Sequence, residues 1–267
     1  TLSSSSAASD VYKRQAKGAF TVQIAVISDL HLGKKDKLDQ FHRNLGAETQ
    51  LYKLLTYLEN NVDKIILLGD IFETLRSKSP TKREEELRNI LKAYPKIAEK
   101  IKNNKKYILI QGNHDEASGK VLGAPSVLKL KDGDSHIAFF HGHQVDHLVY
   151  DFVEKNFWKF GTWAGGWLER LGFDITRKMN KNSKFKALND LWKVGKFEKS
   201  AVEFGKKLKA DIVVTGHSHH PMKEEIGSNL FLNSGTRVAG RQDMIIIDTS
   251  RHQYDVYKKF SPSSQAE

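Results

Sequence analysis

Histidine, carboxylate and amide side chains recur in five short segments of the sequence, and such side chains hold metal ions where cysteine is absent. The 267-residue chain contains 11 histidines and no cysteine. In Asp29-x-His31 and His217-x-His219, alternate residues of an extended segment lie on the same side, so both members of each pair can reach one metal centre. The candidate metal ligands are Asp29, His31, Asp70, Asn113, His141, His217 and His219. These residue types predict metal-dependent chemistry and exclude disulfide or thiolate chemistry.

Each of the five segments follows a short apolar run that predicts a buried strand. Strands are expected over residues 22–28, 64–68, 107–110, 136–140, 212–215, 230–232 and 244–247, with a last strand over 254–260. A single polar residue after a strand is more often a turn, cap or core residue. Ligand sites in α/β sheets gather at the carboxyl ends of strands, however, and five consecutive strand ends here carry metal-ligand types. Together they favour one shared site.

Helical patterns separate the predicted strands. The first predicted helix presents one apolar face at helical spacing, formed by Leu51, Leu54, Leu55 and Leu58. A second helix is predicted to begin near Thr81, where Thr81 and Glu84 have the spacing of a capping box. Its expected core residues are Leu87, Ile90, Leu91, Tyr94, Ile97 and Ile101. Strands that alternate with helices predict an α/β fold, in one domain over residues 20–260.

The composition changes from about residue 147 to residue 209, where helical patterns are dense in aromatic and basic residues and all four tryptophans occur. This change predicts an inserted helical cap over residues 147–209. Its apolar side chains either pack within the cap or form a surface for acyl chains and phosphates, on a substrate or a membrane. Residues 1–19 are expected to be a disordered leader or a non-native remnant, and residues 261–267 a polar tail. The formal net charge of +11 suits a protein that meets anions.

The ordered segments resemble the signature of the calcineurin-like metallophosphoesterases. They read Asp-x-His, Gly-Asp, Gly-Asn-His-Asp, a histidine after an apolar strand, and Gly-His-x-His. The resemblance spans residues 24 to about 248 and implies a two-sheet β-sandwich flanked by helices, with two metals where the sheets meet. It implies that Asp70 bridges the metals. One metal would take Asp29, His31, Asp70 and His219, and the other Asp70, Asn113, His141 and His217.

The resemblance also implies the chemistry. Two divalent cations, with Mn²⁺ favoured over Fe and Zn²⁺, would activate water for in-line attack on a phosphate ester or anhydride. His114 is similar to the histidine that donates a proton to the leaving oxygen, and Asp115 beside it either orients that imidazole or caps a helix. His143, His147 and His220 lie near the motifs and receive no family role.

The insert between the fourth and fifth segments is similar to that of the bacterial UDP-2,3-diacylglucosamine diphosphatases of lipid A synthesis. This similarity implies a lipid-linked nucleotide as substrate and a cytoplasmic protein, with peripheral contact at the inner membrane surface. The chain departs from that branch in having His114, His-Gly-His at 141–143 and Thr74. That branch often has arginine, His-Gly-Asp and an aromatic residue at these positions. We predict a member of this branch, with a related pyrophosphatase that acts on another substrate as the alternative.

Three alternatives remain on the sequence alone. A general phosphodiesterase, or a protein or small-molecule phosphatase of the same superfamily, would share the ligands without needing an aromatic cap. A nuclease would explain the positive charge, but the sequence shows neither an additional DNA-binding domain nor coiled-coil heptads, so no obligatory nucleic acid is expected. A non-catalytic scaffold would be expected to have lost ligands, whereas all are retained here.

Overall fold

Ten strands form two five-stranded sheets in the described residues, 22–37, 39–76, 81–148 and 195–260, of a computed structural model. The strands are β1 Gln23–Ile27, β2 Lys64–Leu68, β3 Tyr107–Ile110, β4 Val127–Asp132, β5 Ser135–Phe140, β6 Ile212–Thr215, β7 Met222–Ile226, β8 Asn229–Asn233, β9 Met244–Asp248 and β10 Gln253–Tyr257. The first sheet has the order β10-β9-β1-β2-β3 and the second β4-β5-β6-β8-β7. Both sheets are mixed, with parallel centres around β1-β2-β3 and β5-β6-β8.

Helices cover the outer faces of the two sheets. They are α1 Ala47–Asn61, α2 Arg83–Ala93, α3 Pro95–Asn103, α4 Ala117–Leu122 and α5 Lys196–Lys207, with 3₁₀ turns at His143–Leu148 and Val238–Gly240. The apolar face predicted for the first helix is the buried face of α1. Two mixed sheets flanked by helices confirm the predicted fold class.

The core lies in three layers because alternate residues of each strand face opposite sides of its sheet. Val26 of β1 and Phe139 of β5 face the layer between the sheets. Ile27 faces α1 to α3 on the outer side of the first sheet. Val213 of β6 packs with Ala201 of α5 on the outer side of the second sheet. Both faces of the central strands are thereby covered, so the strand ends are the places where these strands can present polar side chains to a ligand.

The helix predicted to begin near Thr81 is in fact two helices. α2 ends at Ala93 and α3 begins at Pro95, which takes the first helical position because proline has no N–H to continue the preceding helix. The N-cap of α2 is Lys82, without a side-chain capping bond, so the predicted capping box is wrong. The predicted core positions Leu87, Ile90, Leu91, Tyr94 and Ile97 are buried, and Ile101 is partly buried.

The sequence reading missed β4 and β7, which are the two edge strands of the second sheet. β7 is largely exposed and reads Met-Lys-Glu-Glu-Ile, so no apolar pattern marks it. Along β4, buried and exposed positions alternate, so the strand lacks the continuous apolar run that is typical of a central strand. The last strand ends at Tyr257 rather than at the predicted Phe260.

Much of the predicted domain plan lies outside the described residues. This holds for the leader over residues 1–19, the tail over 261–267, and residues 149–194 of the cap, with all four tryptophans. Within the described part of the cap range, α5 packs Ala201 and Val202 against the second sheet. None of the helices in the described part of the chain is both long enough and apolar enough to cross a membrane.

Candidate metal centre

The carboxyl ends of β1, β2, β5 and β6 converge at one edge of the sandwich. Beyond β1 and β2 the parallel pairing continues, since the N–H of His31 donates to the carbonyl oxygen of Asp70 at 3.0 Å. Beyond β5 and β6, the N–H of Gly216 donates to the carbonyl oxygen of His141 at 2.9 Å. Each of these bonds holds neighbouring loops of one sheet side by side, and the N–H of His217 connects the two sheets by donating to Oδ2 of Asp29 at 3.1 Å.

The two carboxylate oxygens of Asp29 have different surroundings. Oδ2 accepts hydrogen bonds from a neighbouring serine hydroxyl and from the N–H of His217, the latter at 3.1 Å. Oδ1 lies 3.1 Å from Nε2 of His219, 3.9 Å from Nε2 of His31 and 4.0 Å from Nε2 of His141. This oxygen is buried and none of the three contacts has hydrogen-bond geometry. A buried carboxylate oxygen that faces three imidazoles without a hydrogen bond has the surroundings of a metal ligand.

The two carboxylate oxygens of Asp70 also have different surroundings. Oδ1 accepts the backbone N–H of His114 at 2.8 Å. Oδ2 lies 3.1 Å from Nε2 of His141 and 3.9 Å from Nε2 of His31. His31 and His141 belong to different predicted metal positions, so this single oxygen lies between the two positions.

The imidazole of His141 is oriented by the backbone. Its Nδ1 lies 2.9 Å from the carbonyl oxygen of Leu68, which fixes Nδ1 as the donor, and Nε2 is buried without a hydrogen bond. The amide oxygen of Asn113 is also buried without a hydrogen bond. Within each of three overlapping groups the ligand atoms lie within 4.8 Å of one another: Asp29, His31 and His219; His31, Asp70 and His114; Asp70, His141 and His217.

Five of the seven predicted ligands have backbone conformations that are unfavourable for residues other than glycine. Their φ angles are 52° for Asp29, 50° for His31, 52° for Asp70, 67° for His217 and 57° for His219. A left-handed conformation costs about 1–2 kcal/mol per residue and persists only where surrounding structure imposes it. Strain concentrated at these five positions indicates that the loops are shaped to aim particular side chains.

Glycine at position 112 is required by the close approach of two loops. A Cβ atom on Gly112 would collide with the backbone nitrogen and the carboxylate of Asp70. Gly69 has a φ of 79°, and a Cβ there would lie 2.5 Å from Nδ1 of His141. Both glycines therefore let the backbone approach ligand side chains more closely than any other residue would allow.

Electrostatic interactions between the buried carboxylates and imidazoles favour the charged forms of both. Burial alone would raise the pKa of Asp29, but the imidazoles of His219 and His141 lower it to about 2. Asp70 is likewise held well below its usual pKa, against burial, by His141 and His114. Burial disfavours a charged His141, but Asp70 and Asp29 raise its pKa to about 10. The carboxylates are thus anionic across the physiological pH range, as metal ligands must be.

The donor set fits divalent cations. Two carboxylates, four imidazoles and one amide, with buried atoms on Asp29, Asn113 and His141 that make no hydrogen bond, match the mixed nitrogen and oxygen ligation of such ions. Burying these polar atoms without partners would cost about 1–3 kcal/mol each, and coordination would remove that cost. Six of the seven predicted ligands therefore lie in overlapping groups that could hold metal ions, and the amide oxygen of the seventh, Asn113, is buried without a hydrogen bond.

Glu73 is the functional residue that the sequence reasoning missed. Its carboxylate lies 2.9 Å from Nδ1 of His114 and 3.1 Å from Nδ1 of His31, and it is buried. Against burial, Glu73 and Asp70 raise the pKa of His114 to about 9. One carboxylate therefore orients a predicted ligand and the predicted proton donor. Glu73 follows the predicted ligand Asp70 by three residues in the same loop, and this position was the feature of the sequence that could have indicated its role.

Asp115 was predicted either to orient His114 or to cap a helix, and its side-chain hydrogen bonds go instead to backbone N–H groups of two loops. Its Oδ1 accepts the N–H of Gly112 at 2.6 Å, and its Oδ2 accepts those of Ile71 at 2.8 Å and Phe72 at 3.3 Å. These bonds tie the loop after β2 to the loop after β3. The structure therefore gives the orienting role to Glu73, because both oxygens of Asp115 are committed to backbone N–H groups. Burial and the charge of Asp70 raise the pKa of Asp115 to about 7.

The remaining histidines near the motifs lie at the border of the cluster. The ring of His143 is 5.7 Å from that of His141, centroid to centroid. His220 is exposed, and the side chain of His147 lies outside the described residues. Phe197 of α5 packs 6.0 Å from the ring of His217, so an apolar side chain borders the second predicted metal position.

An α/β sandwich with carboxylates and imidazoles clustered at one edge defines a class of metal-dependent hydrolases. Within that class, residues 22–221 match the family described as Calcineurin-like phosphoesterase. The match covers well over half of the chain, and the chain belongs to this family. The family uses divalent metals and hydrolyses phosphoesters, which confirms the predicted superfamily and the broad activity.

Solved structures resemble the chain at low identity. A predicted phosphoesterase from Streptococcus pneumoniae TIGR4 is 16% identical over 90% of this chain and 99% of its own, with a TM-score of 0.41. The phosphoesterase YfcE from E. coli is 14% identical over 89% and 100%, with a TM-score of 0.38. Vps29 from Entamoeba histolytica, complexed with Zn²⁺, is 15% identical over 88% and 97%, with a TM-score of 0.41. Scores this low carry no argument about function. No curated protein matches the chain significantly.

Proposed function

We propose that the chain hydrolyses phosphate esters or anhydrides with two divalent cations bridged by Asp70. The observation that carries the proposal is the placement of Asp70 Oδ2 between Nε2 of His31 and Nε2 of His141, at 3.9 and 3.1 Å. Two cations in one site repel each other unless an anion lies between them, and the carboxylate of Asp70 would supply that anion. The proposed ligand set is Asp29, His31, Asp70, Asn113, His141, His217 and His219.

The chemistry divides between the cations and the side chains. When bound, the cations supply Lewis acidity that activates water and offsets charge on phosphoryl oxygens. Glu73 and Asp70 raise the pKa of His114 to about 9 against burial, which favours the protonated form of this imidazole. Glu73 accepts the Nδ1 hydrogen and so leaves Nε2 of His114 to donate toward the leaving oxygen. His114 Nε2 lies 4.0 Å from Asp70 Oδ2, beside the bridging position.

Within this activity we propose Mn²⁺ as the metal and an acylated nucleotide-sugar diphosphate as the substrate. The supports are the basic character of the chain, a net charge of +11, and the similarity of its insert to that of lipid A diphosphatases. The described segments on either side of residues 149–194 contact the site, since His143 adjoins His141 and Phe197 adjoins His217.

A substrate panel tests the proposal. Protein treated with a chelator and then reloaded with Mn²⁺ is offered an acylated nucleotide-sugar diphosphate, its unacylated form, an aryl phosphodiester, a phosphomonoester and single-stranded DNA. We expect turnover only after reloading, with a preference for the acylated diphosphate. Equal rates on both diphosphates would reject the lipid-linked substrate and leave a general phosphoesterase. Bound Mn²⁺ without turnover of any compound would instead identify a metal-binding scaffold.

A further inference from the structure

The segment from Asn233 to Asp243 contains none of the predicted ligands, yet it contacts the loops that carry two of them. Its first residues follow β8, where the side-chain amide of Asn233 donates to the carbonyl oxygen of Gly216 at 2.6 Å. Its last residues precede β9. In between, the chain passes Asp29 on one side and His219 on the other, and both are proposed ligands of the same cation.

Arg241 contacts the His219 side. Its Nη1 donates to the carbonyl oxygen of His219 at 2.8 Å, and its Nη2 lies 2.7 Å from Oδ2 of Asp243. The planar guanidinium thus connects a ligand loop to a buried carboxylate through two different nitrogens, which a single ammonium group does less well. The side chain of Asp243 is only 3% exposed, so the anchor is fixed within the fold.

Asp243 carries the connection to the Asp29 side. Its Oδ2 also accepts the backbone N–H of Thr236 at 3.3 Å. The hydroxyl of Thr236 donates to the carbonyl oxygen of Asp29 at 2.9 Å, and the N–H of Arg237 reaches the same oxygen at 3.3 Å. A continuous set of charged and backbone hydrogen bonds therefore runs from His219 through Arg241, Asp243 and Thr236 to Asp29.

Both ends of this connection need an external restraint. Asp29 and His219 have φ angles of 52° and 57°, which their own side chains disfavour. The side chain of His219 is 42% exposed, whereas that of Asp29 is fully buried, so packing holds His219 much less firmly. The carbonyl bond from Arg241 supplies a restraint on the backbone of His219 that packing does not.

We infer that Arg241 is a positioning residue that sets the separation of His219 from Asp29 by means of Asp243 and Thr236. The inference rests on the proposed function, because it assumes that Asp29 and His219 hold one cation. Outer partners of metal ligands typically contribute 10–100-fold in metal affinity. The connection ends on the backbone carbonyl oxygens of Asp29 and His219, which are both proposed ligands of the same cation.

The test is a calorimetric titration of Mn²⁺ into chelator-treated protein. The variants are Arg241→Gln, Asp243→Asn and the double variant, with Arg251→Gln as a matched control. Arg251 is 76% exposed and pairs with Asp248 at the far end of β9, so its loss should change nothing. In Arg241→Gln we expect one of two Mn²⁺ affinities to fall about 10–100-fold, the other to change less, and the melting temperature of the chelated protein to stay constant.

The double variant tests whether the two residues act as one unit. We expect it to lose no more affinity than Arg241→Gln alone, because removing either partner breaks the same connection. Two unchanged Mn²⁺ affinities in Arg241→Gln would overturn the inference. A raised KM with unchanged metal affinity would also overturn it and show that Arg241 contacts substrate. A wild-type protein that binds fewer than two Mn²⁺ would instead overturn the proposed function, and the inference with it.

Discussion

Each end of the sandwich buries a carboxylate beside histidine, but the hydrogen bonding of the two carboxylates differs. At the end remote from the proposed metals, Asp132 of β4 accepts the Tyr254 hydroxyl through Oδ2, while Oδ1 lies 3.0 Å from Nδ1 of the exposed His252. At the other end, Oδ1 of Asp29 faces three imidazoles and accepts no hydrogen bond. A buried acid with satisfied partners joins two sheets, whereas one left without a hydrogen bond indicates a ligand site.

The backbone shows the same difference. In the remote cluster the residues with positive φ are Gly133 and His252, each in a turn between two strands, while five proposed ligands have positive φ at the metal end. Strain of this kind persists where function requires it and the surroundings enforce it. Substitutions at the metal end should therefore change chemistry, and substitutions at the remote end should change stability alone.

Replacing His114 with alanine should give the largest loss of rate with the metals retained. A positioned proton donor contributes on the order of 10²–10⁴-fold, and the loss should be greatest for poor leaving groups. Rates on an alkyl ester and on an activated aryl ester, measured beside Mn²⁺ content, check this outcome. Equal losses on both esters would remove the proton-donor role from His114.

Glu73→Gln should have a smaller effect on two properties together. The carboxylate holds Nδ1 of both His31 and His114, so its loss should weaken the metal position of His31 and slow proton donation by about 10–100-fold. Mn²⁺ affinity and the rate on a poor leaving group are the measurements. A variant with wild-type values for both would show that Glu73 only fills space.

Asp132→Ala should leave activity and metal content unchanged and lower stability. The Tyr254 hydroxyl would lose its buried acceptor, which costs about 1–3 kcal/mol. Chemical denaturation and turnover of the same preparation check both parts. A drop in turnover by folded protein would show that the remote end is coupled to the site and would break the comparison.

The smallest expected effect concerns pH and the stability of chelated protein. The pKa values of His114 and His141 are raised to about 9 and 10, so their stabilising contribution is complete below pH 6.5 and is lost as the pH rises through 9 to 10. Asp115, raised to about 7, acts in the same direction. The melting temperature in chelator should therefore fall from pH 6.5 to pH 10, and a rise would contradict the assigned charges.

The sequence predicted the central strands and all seven candidate ligands because apolar runs mark buried strands and the ligands follow them directly. It missed β4 and β7, whose edge positions leave exposed residues among the apolar ones. It missed Glu73 and Arg241 because their roles depend on contacts between loops distant in sequence. The contacts of Asp115, for which orienting His114 and capping a helix were both left open, were missed for the same reason, since adjacency to His114 does not reveal which N–H groups its carboxylate meets.

The number of Mn²⁺ ions bound per chain in wild type, Asp70→Ala and Asp132→Ala tests the central claim most directly. Asp70 is the proposed bridge, so its removal should release both cations, while the loss of the satisfied carboxylate at the remote end should release none. The expected counts, from elemental analysis after dialysis of folded protein, are about two, zero and two. An Asp70→Ala protein that keeps two Mn²⁺ and its normal turnover would contradict the two-metal site.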